Sequence, residues 1–273
     1  MPSTATPSLS LVRSVTKLAN SCYLRCHSLV SHIGGFIVYS SEIFYHALHK
    51  PLRVYETIQQ MEFVGYQSMM IISVAAYFTG AVFSLQVGEV ISIFDAQSLI
   101  GAITCDALAN ALAPIITGFL VAGRIGSSMT AEIVSMKSKE QIDALKVMGV
   151  HPISYLVIPR VFACLFTVPC LTVFFFLFGS IGAFTVSTFV FFVDAGLFLE
   201  YAILKVNWDD ISLMLGKSLV VGWTVGTLSC YFGLRAKTGN HGIGQATVLS
   251  VATTFIMIMI LDSLITFIET IIL

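Results

Sequence analysis

From Val161 to Val193 this chain runs thirty-three residues without one charged side chain. A bilayer's hydrocarbon core needs only about 20 residues of helix, so this run is long enough to cross a membrane with residues to spare. Pro169, Gly179 and Gly182 lie inside it. The pattern predicts one long helix that kinks or tilts, with a span plus a short re-entrant piece as the alternative. Four more apolar runs lie near 64–88, 98–123, 211–234 and 246–271, and the uncharged run belongs to a span that starts near 153. Hydrophobic residues make up 56% of the chain, charged residues 11%, and the mean hydropathy is +0.90. A soluble domain carries about 25% charged residues. These values predict an all-α integral membrane protein with five transmembrane helices.

The first 41 residues contain no acid and include Arg13, Lys17 and Arg25. Residues 1–23 read as a tail on the inner side of the membrane, although an organellar transit peptide has the same composition. Between 24 and 50, Leu29, Ile33, Phe36, Ile37, Phe44 and Leu48 recur near helical spacing among polar residues. That predicts an N-terminal amphipathic helix lying in the interface, ended by Pro51.

Orientation follows from the lysines and arginines. Five lie in residues 1–63, five in 124–160 and two in 235–245, whereas Glu89, Asp95, Asp194, Glu200, Asp209 and Asp210 gather between the other span ends. The N-terminus and the 124–160 segment are therefore expected in the cytoplasm, and the C-terminus outside.

That cytoplasmic segment is the most informative part of the chain for function. Ser138, with Gln141 three residues on, forms a weak capping box for a short helix. Ile142, Leu145 and Met148 fall on one side of it, Gly149 ends it and Pro152 prevents its continuation. A helix of this kind either enters a groove on a soluble partner or lies on the protein's own face.

Other chemistries find little support. Gly216-Lys217-Ser218 resembles the end of a phosphate loop, but position 211 is Ile where the first glycine belongs. There is no nucleophile elbow and no zinc-protease motif. The six cysteines are scattered, mostly in apolar runs, and read as small packers, so no metal site is expected. With a net charge of −1 and no basic patch, nucleic-acid binding is not expected either. Gly222 and Gly226 form a small-residue pair suited to close helix packing. A self-sufficient transporter or channel would need ionisable residues converging in mid-membrane, for which Asp106, Lys217 and Asp262 are available. A lipid-modifying enzyme would need paired acids and histidines at the interface, which are not found.

Residues 122–160 resemble the signature of the MlaE-type permeases, membrane subunits of MCE-linked lipid ABC transporters. The matching elements are Ala122-Gly123-Arg124, Gly126-Ser127, Ala131-Glu132, Met136, Glu140-Gln141-Ile142-Asp143-Ala144-Leu145, Met148-Gly149, Pro152 and Pro159-Arg160. Gly242-Ile243-Gly244-Gln245-Ala246-Thr247 and the stretch from Gly80 to Leu85-Gln86 are similar too. The likeness covers roughly 25–273, so residues 24–273 are expected to form one permease domain.

The resemblance implies an interfacial helix over about 24–50, five spans, and a cytoplasmic coupling segment over about 135–152 between spans two and three. It implies a non-catalytic subunit that pairs as a homodimer and binds no cofactor of its own. ATP and Mg would sit in a partner ABC ATPase, with a periplasmic MCE-domain protein above and phospholipid as cargo. The expected membrane is a bacterial inner membrane, with a plastid inner envelope as the alternative. Glu140, Gln141, Asp143, Leu145 and Met148 would transmit ATPase closure, with Arg124 and Glu132 pairing with each other or with the ATPase. Arg160 would anchor at headgroups or touch the partner. Val82, Phe83, Gln86, Val90, Phe94 and Leu112 would line the lipid path at the dimer seam. Where many members carry an Arg-Glu pair before the span-two proline, this chain has Asn110-Ala111 ahead of Pro114. Asp106, one turn earlier, either substitutes there or sits near the outer interface without a role; Asp262, the intramembrane acid of span five, matches the family and is either functional or a structural hydrogen-bond acceptor. Glu269 is expected in water near the outer end.

Overall fold

The computed structural model describes residues 34–35, 38–45, 53–94 and 96–272, of which the first two stretches belong to one compact unit and the rest to a second. In the first unit, residues 38–45 are helical, with Tyr39 and Ile43 buried and Val38, Phe44 and Tyr45 exposed. Residues 34–35 are helical too, and the rest of the interfacial helix expected over 24–50 lies outside the described residues.

The second unit is built from helices alone among the described residues. They are α1 (Val54–Ser92), α2 (Gln97–Ser138), α3 (Gln141–Val147), α4 (Ile153–Phe189), α5 (Ala195–Lys205), α6 (Trp208–Arg235) and α7 (Asn240–Ile272). Five of these, α1, α2, α4, α6 and α7, are long and apolar enough to cross a membrane. Helix α1 has 39 residues, about 58 Å at ~1.5 Å per residue, roughly twice the hydrocarbon thickness. The apolar run marks only the middle of each helix. Good helix formers such as Glu56, Gln59, Gln60 and Glu62 carry α1 outward past it, and α2 likewise continues through the charged region to Ser138.

The long uncharged run forms a single helix, α4, with Pro169 inside it and no re-entrant piece. Its partner in packing is α1. A Cβ on Gly80 would strike the backbone of Gly179, and one on Gly182 would strike the backbone of Tyr77. The two backbones touch because no side chain stands between them. Ser84 and Ser187 hydroxyls meet at 3.0 Å, and Tyr77 and Thr185 at 3.2 Å, fixing the register of this pair. Gly222 and Gly226 do the same for α6 against α4: an added Cβ would lie 2.6 Å from the Cys164 carbonyl and 2.9 Å from the Val161 Cα. The small-residue pair therefore serves packing within the chain. The core between these helices holds Ile72, Leu108, Met129, Phe175, Val225 and Ile258.

Helix α5 was not anticipated. Asp194 caps it, its carboxylate accepting from the Gly196 and Leu197 amides at 3.1 and 3.3 Å, and Phe198 anchors it in a small core with Ile100 and Ala183. An Asp followed by small and apolar residues was the available signal.

Candidate functional site

Two ends of the bundle concentrate the polar side chains. At one end, α2 and α4 are joined by α3. The turn into α3 passes through Glu140, in the left-handed region at φ 57°, and the turn out through Gly149 at φ 74°. The Val150 amide bonds to Leu145 O and the Gly149 amide to Lys146 O, both at 3.0 Å, closing α3 in the manner of a glycine C-cap. The expected start differs. Ser138 does not cap α3; it is the last residue of α2, and its hydroxyl accepts from the Gly239 amide at 3.3 Å. The N-cap position is Glu140, whose side chain caps nothing.

Nor do the apolar residues of α3 share one outward side. Ile142 is buried, Leu145 half-buried, and Met148 exposed. Val147 is 89% exposed and, with Met148, gives α3 an outward apolar tip. Val147 lies off the face that the spacing of Ile142, Leu145 and Met148 picks out, so apolar periodicity does not reveal it. Glu140, Gln141 and Asp143 are exposed around that tip. Lys146 donates to Asp143 at 2.8 Å and holds its carboxyl below the usual carboxylate range.

The base of α3 is an ionic clamp. Arg160, at 4% exposed, pairs through one terminal nitrogen with Glu132 Oε2 at 2.9 Å and donates through the other to Leu156 O at 3.2 Å. Glu132 thus pairs with Arg160 and not with Arg124, which is exposed and makes no ion pair among the described residues. Burial also takes Arg160 away from headgroups. Lys137 Nζ donates to Leu234 O and Ala236 O, each at 2.8 Å, covering the orphan carbonyls at the end of α6.

At the other end, near α5, a second network is partly buried among the spans. Asn110 donates to Asp106 Oδ1 at 3.1 Å and to Asp210 Oδ1 at 3.4 Å. Lys217, 1% exposed, donates to Asn110 O at 2.6 Å and to Thr266 Oγ1 at 2.9 Å. Its ammonium stands 3.9 Å from both Asp262 Oδ1 and Glu269 Oε2. Lys205, on α5, lies 3.7 Å from Asp106. The fold therefore brings Asp106, Asn110 and Asp262 together as one site, and the residue that joins them is Lys217. Glu269, expected in water, faces Lys217 with 22% of its side chain still exposed.

Between these ends, Val82, Phe83, Gln86 and Leu112 line one recess of about 370 Å³ with Phe78 and Thr79. Val90 lies farther along α1 and Phe94 just past its end, both exposed and outside that lining. Phe78, Val82, Gln86 and Val90 recur every four residues, so they form one ridge-like stripe along α1, and Phe94 follows just past the helix end. Among the described residues no three His, Cys, Asp or Glu side chains are grouped to hold a metal ion.

Similarity to known proteins agrees with this architecture. A probable ABC transporter permease protein of Rickettsia felis is 33% identical over 249 residues, spanning 91% of this chain and 96% of the relative. One of Synechocystis is 34% identical over 221 residues, covering 81% and 84% of the two chains. One of Pyropia yezoensis is 35% identical over 209 residues, covering 75% and 78%. The family model described as Permease MlaE matches residues 57–268. This multi-pass membrane protein belongs to the MlaE permease family of ABC transporters.

Proposed function

We propose that this chain is the non-catalytic membrane subunit of a transporter that moves phospholipid between membranes, powered by a separate ATPase. The observation that carries the reading is the outward tip of α3. Val147 and Met148 present exposed apolar surface, ringed by Glu140, Gln141 and Asp143, on a loop between two spans of an ABC permease. A tip of this chemistry suits a groove on a soluble ATPase, and the chain carries no phosphate loop of its own. ATP and Mg belong to that partner.

The cargo reading rests on the α1 stripe. A recess walled by Phe78, Val82, Phe83 and Leu112, with Gln86 as one of few polar groups, accepts acyl chains and offers little to an ion. A second copy of the chain would enclose the stripe at a dimer seam, and an MCE-domain protein would sit over the α5 end. The lysine and arginine bias supports α3 on the cytoplasmic face of a bacterial inner membrane, or on the corresponding face of a plastid inner envelope. The convergence of Lys217, Asp262 and Asn110 is what a self-sufficient transporter would also use; membership in an ABC permease family weighs against it.

Mild-detergent purification with mass spectrometry of proteins and lipids tests the reading. An ATPase near one copy per permease, an MCE-domain protein and bound phospholipid are expected. Recovery of the chain alone after crosslinking would overturn it in favour of the self-sufficient transporter.

A further inference from the structure

Helix α3 hangs between two left-handed residues, Glu140 and Gly149, and only Ile142 is buried along it. Its own contacts are too few to move five spans. The end of α2 that carries it is bound differently. Glu132 joins α2 to Arg160 of α4 at 2.9 Å. Lys137 joins α2 to the last carbonyls of α6 at 2.8 Å. Two turns deeper, Thr130 Oγ1 reaches Ser229 O of α6 at 3.0 Å and Ser250 Oγ of α7 at 3.1 Å. Four spans are therefore tied at the root of one short helix.

The clamp is a poor source of stability. Glu132 keeps 46% of its side chain exposed, while Arg160 is desolvated and its Nε–H has no acceptor among the described residues. A buried guanidinium with an incomplete set of partners loses much of its Coulomb gain to desolvation, and an apolar pair of similar size packs there at least as well. What the ion pair supplies is a fixed geometry: Arg160 also donates to Leu156 O at 3.2 Å, in the π-helical first turn of α4, so the entry of α4 is held against α2.

We propose that Arg160, Glu132 and Lys137 are positioning residues for energy coupling, joining α2, α4 and α6 into one rigid base so that a displacement of α3 moves the spans together. This rests on the reading that a separate ATPase drives the chain through α3. Because the three residues lie behind α3 and its tip, they act on transmission and not on docking.

The test uses the full transporter, purified with its ATPase and reconstituted in phospholipid vesicles, with three readouts: ATPase recovered per permease, ATP hydrolysis, and ATP-dependent lipid transfer. Arg160→Met and Lys137→Met are expected to recover the ATPase normally while lipid transfer per ATP falls about tenfold, within the usual range of coupling between sites. The charge reversal E132R/R160E is expected to restore part of that loss. E132M/R160M controls for folding: it removes both charges and is expected to keep the thermal stability of the parent yet stay uncoupled. Parental transfer per ATP in a stably folded E132M/R160M overturns the inference alone. Failure of the parent chain to recover any ATPase overturns the underlying reading together with it.

Discussion

The Lys217 ammonium donates to the backbone carbonyl of Asn110 at 2.6 Å, and the reason lies four residues on. Pro114 has no N–H to return to Asn110 O, and its ring crowds that carbonyl. Helix α2 widens to a π-turn over Leu108–Leu112 just before it. A lysine from α6 takes the place of the missing amide, and Asp262 and Glu269 balance its charge at 3.9 Å each.

Lys217→Met is expected to destabilise the protein by about 3 kcal/mol, since it leaves the buried Asp262 without its cation and a carbonyl without its donor. In a Pro114→Ala background the same change is expected to cost about 1 kcal/mol less, because residue 114 then supplies an amide to Asn110 O. Thermal unfolding in detergent of the four members of this cycle measures the coupling; strict additivity would show that Pro114 and Lys217 do not share the carbonyl.

The two hinges of α3 make opposite predictions. Glu140 holds φ 57° without any capping bond, so Glu140→Gly relieves roughly 1 kcal/mol of local strain. Gly149 holds φ 74° in open space, so Gly149→Ala adds about 1 kcal/mol from the backbone alone. Hydrogen exchange of the 141–148 amides reports both, slower for the first variant and faster for the second.

Val147→Asp is expected to abolish recovery of the ATPase in a pull-down while leaving the melting temperature unchanged, because the side chain is 89% exposed. Leu145→Asp is expected to lose the ATPase too, with a small drop in stability from its half-buried position. Undiminished recovery with Val147→Asp would remove α3 from the docking surface.

Gly80→Ala drives a methyl group into the backbone of Gly179, where nothing flexible can yield. Helices α1 and α4 must separate, which is expected to cost about 2 kcal/mol. Adding the same methyl at Gly216, which has open space around it, is expected to leave the melting temperature unchanged or slightly raised. Equal effects at the two positions would contradict the close approach.

The apolar runs by themselves determined five spans, because a run of about 20 apolar residues has one low-energy solution in a bilayer, a helix with its backbone satisfied internally. The motif residues around Glu140 and Gly149 determined the short helix between spans two and three and the family. Helix ends were less legible: α1 and α2 extend beyond their apolar runs because helix propensity does not stop where hydropathy does. Partners were not legible at all. Nothing along the chain says that Glu132 meets Arg160 and leaves Arg124 outside, or that Lys217, which reads as a remnant of a phosphate loop, gathers Asn110, Asp262 and Glu269. The Glu132–Arg160 pair and the Lys217–Asn110 bond join residues 28 and 107 positions apart, and the packing of glycine faces, α1 on α4 and α6 on α4, brings such residues within reach.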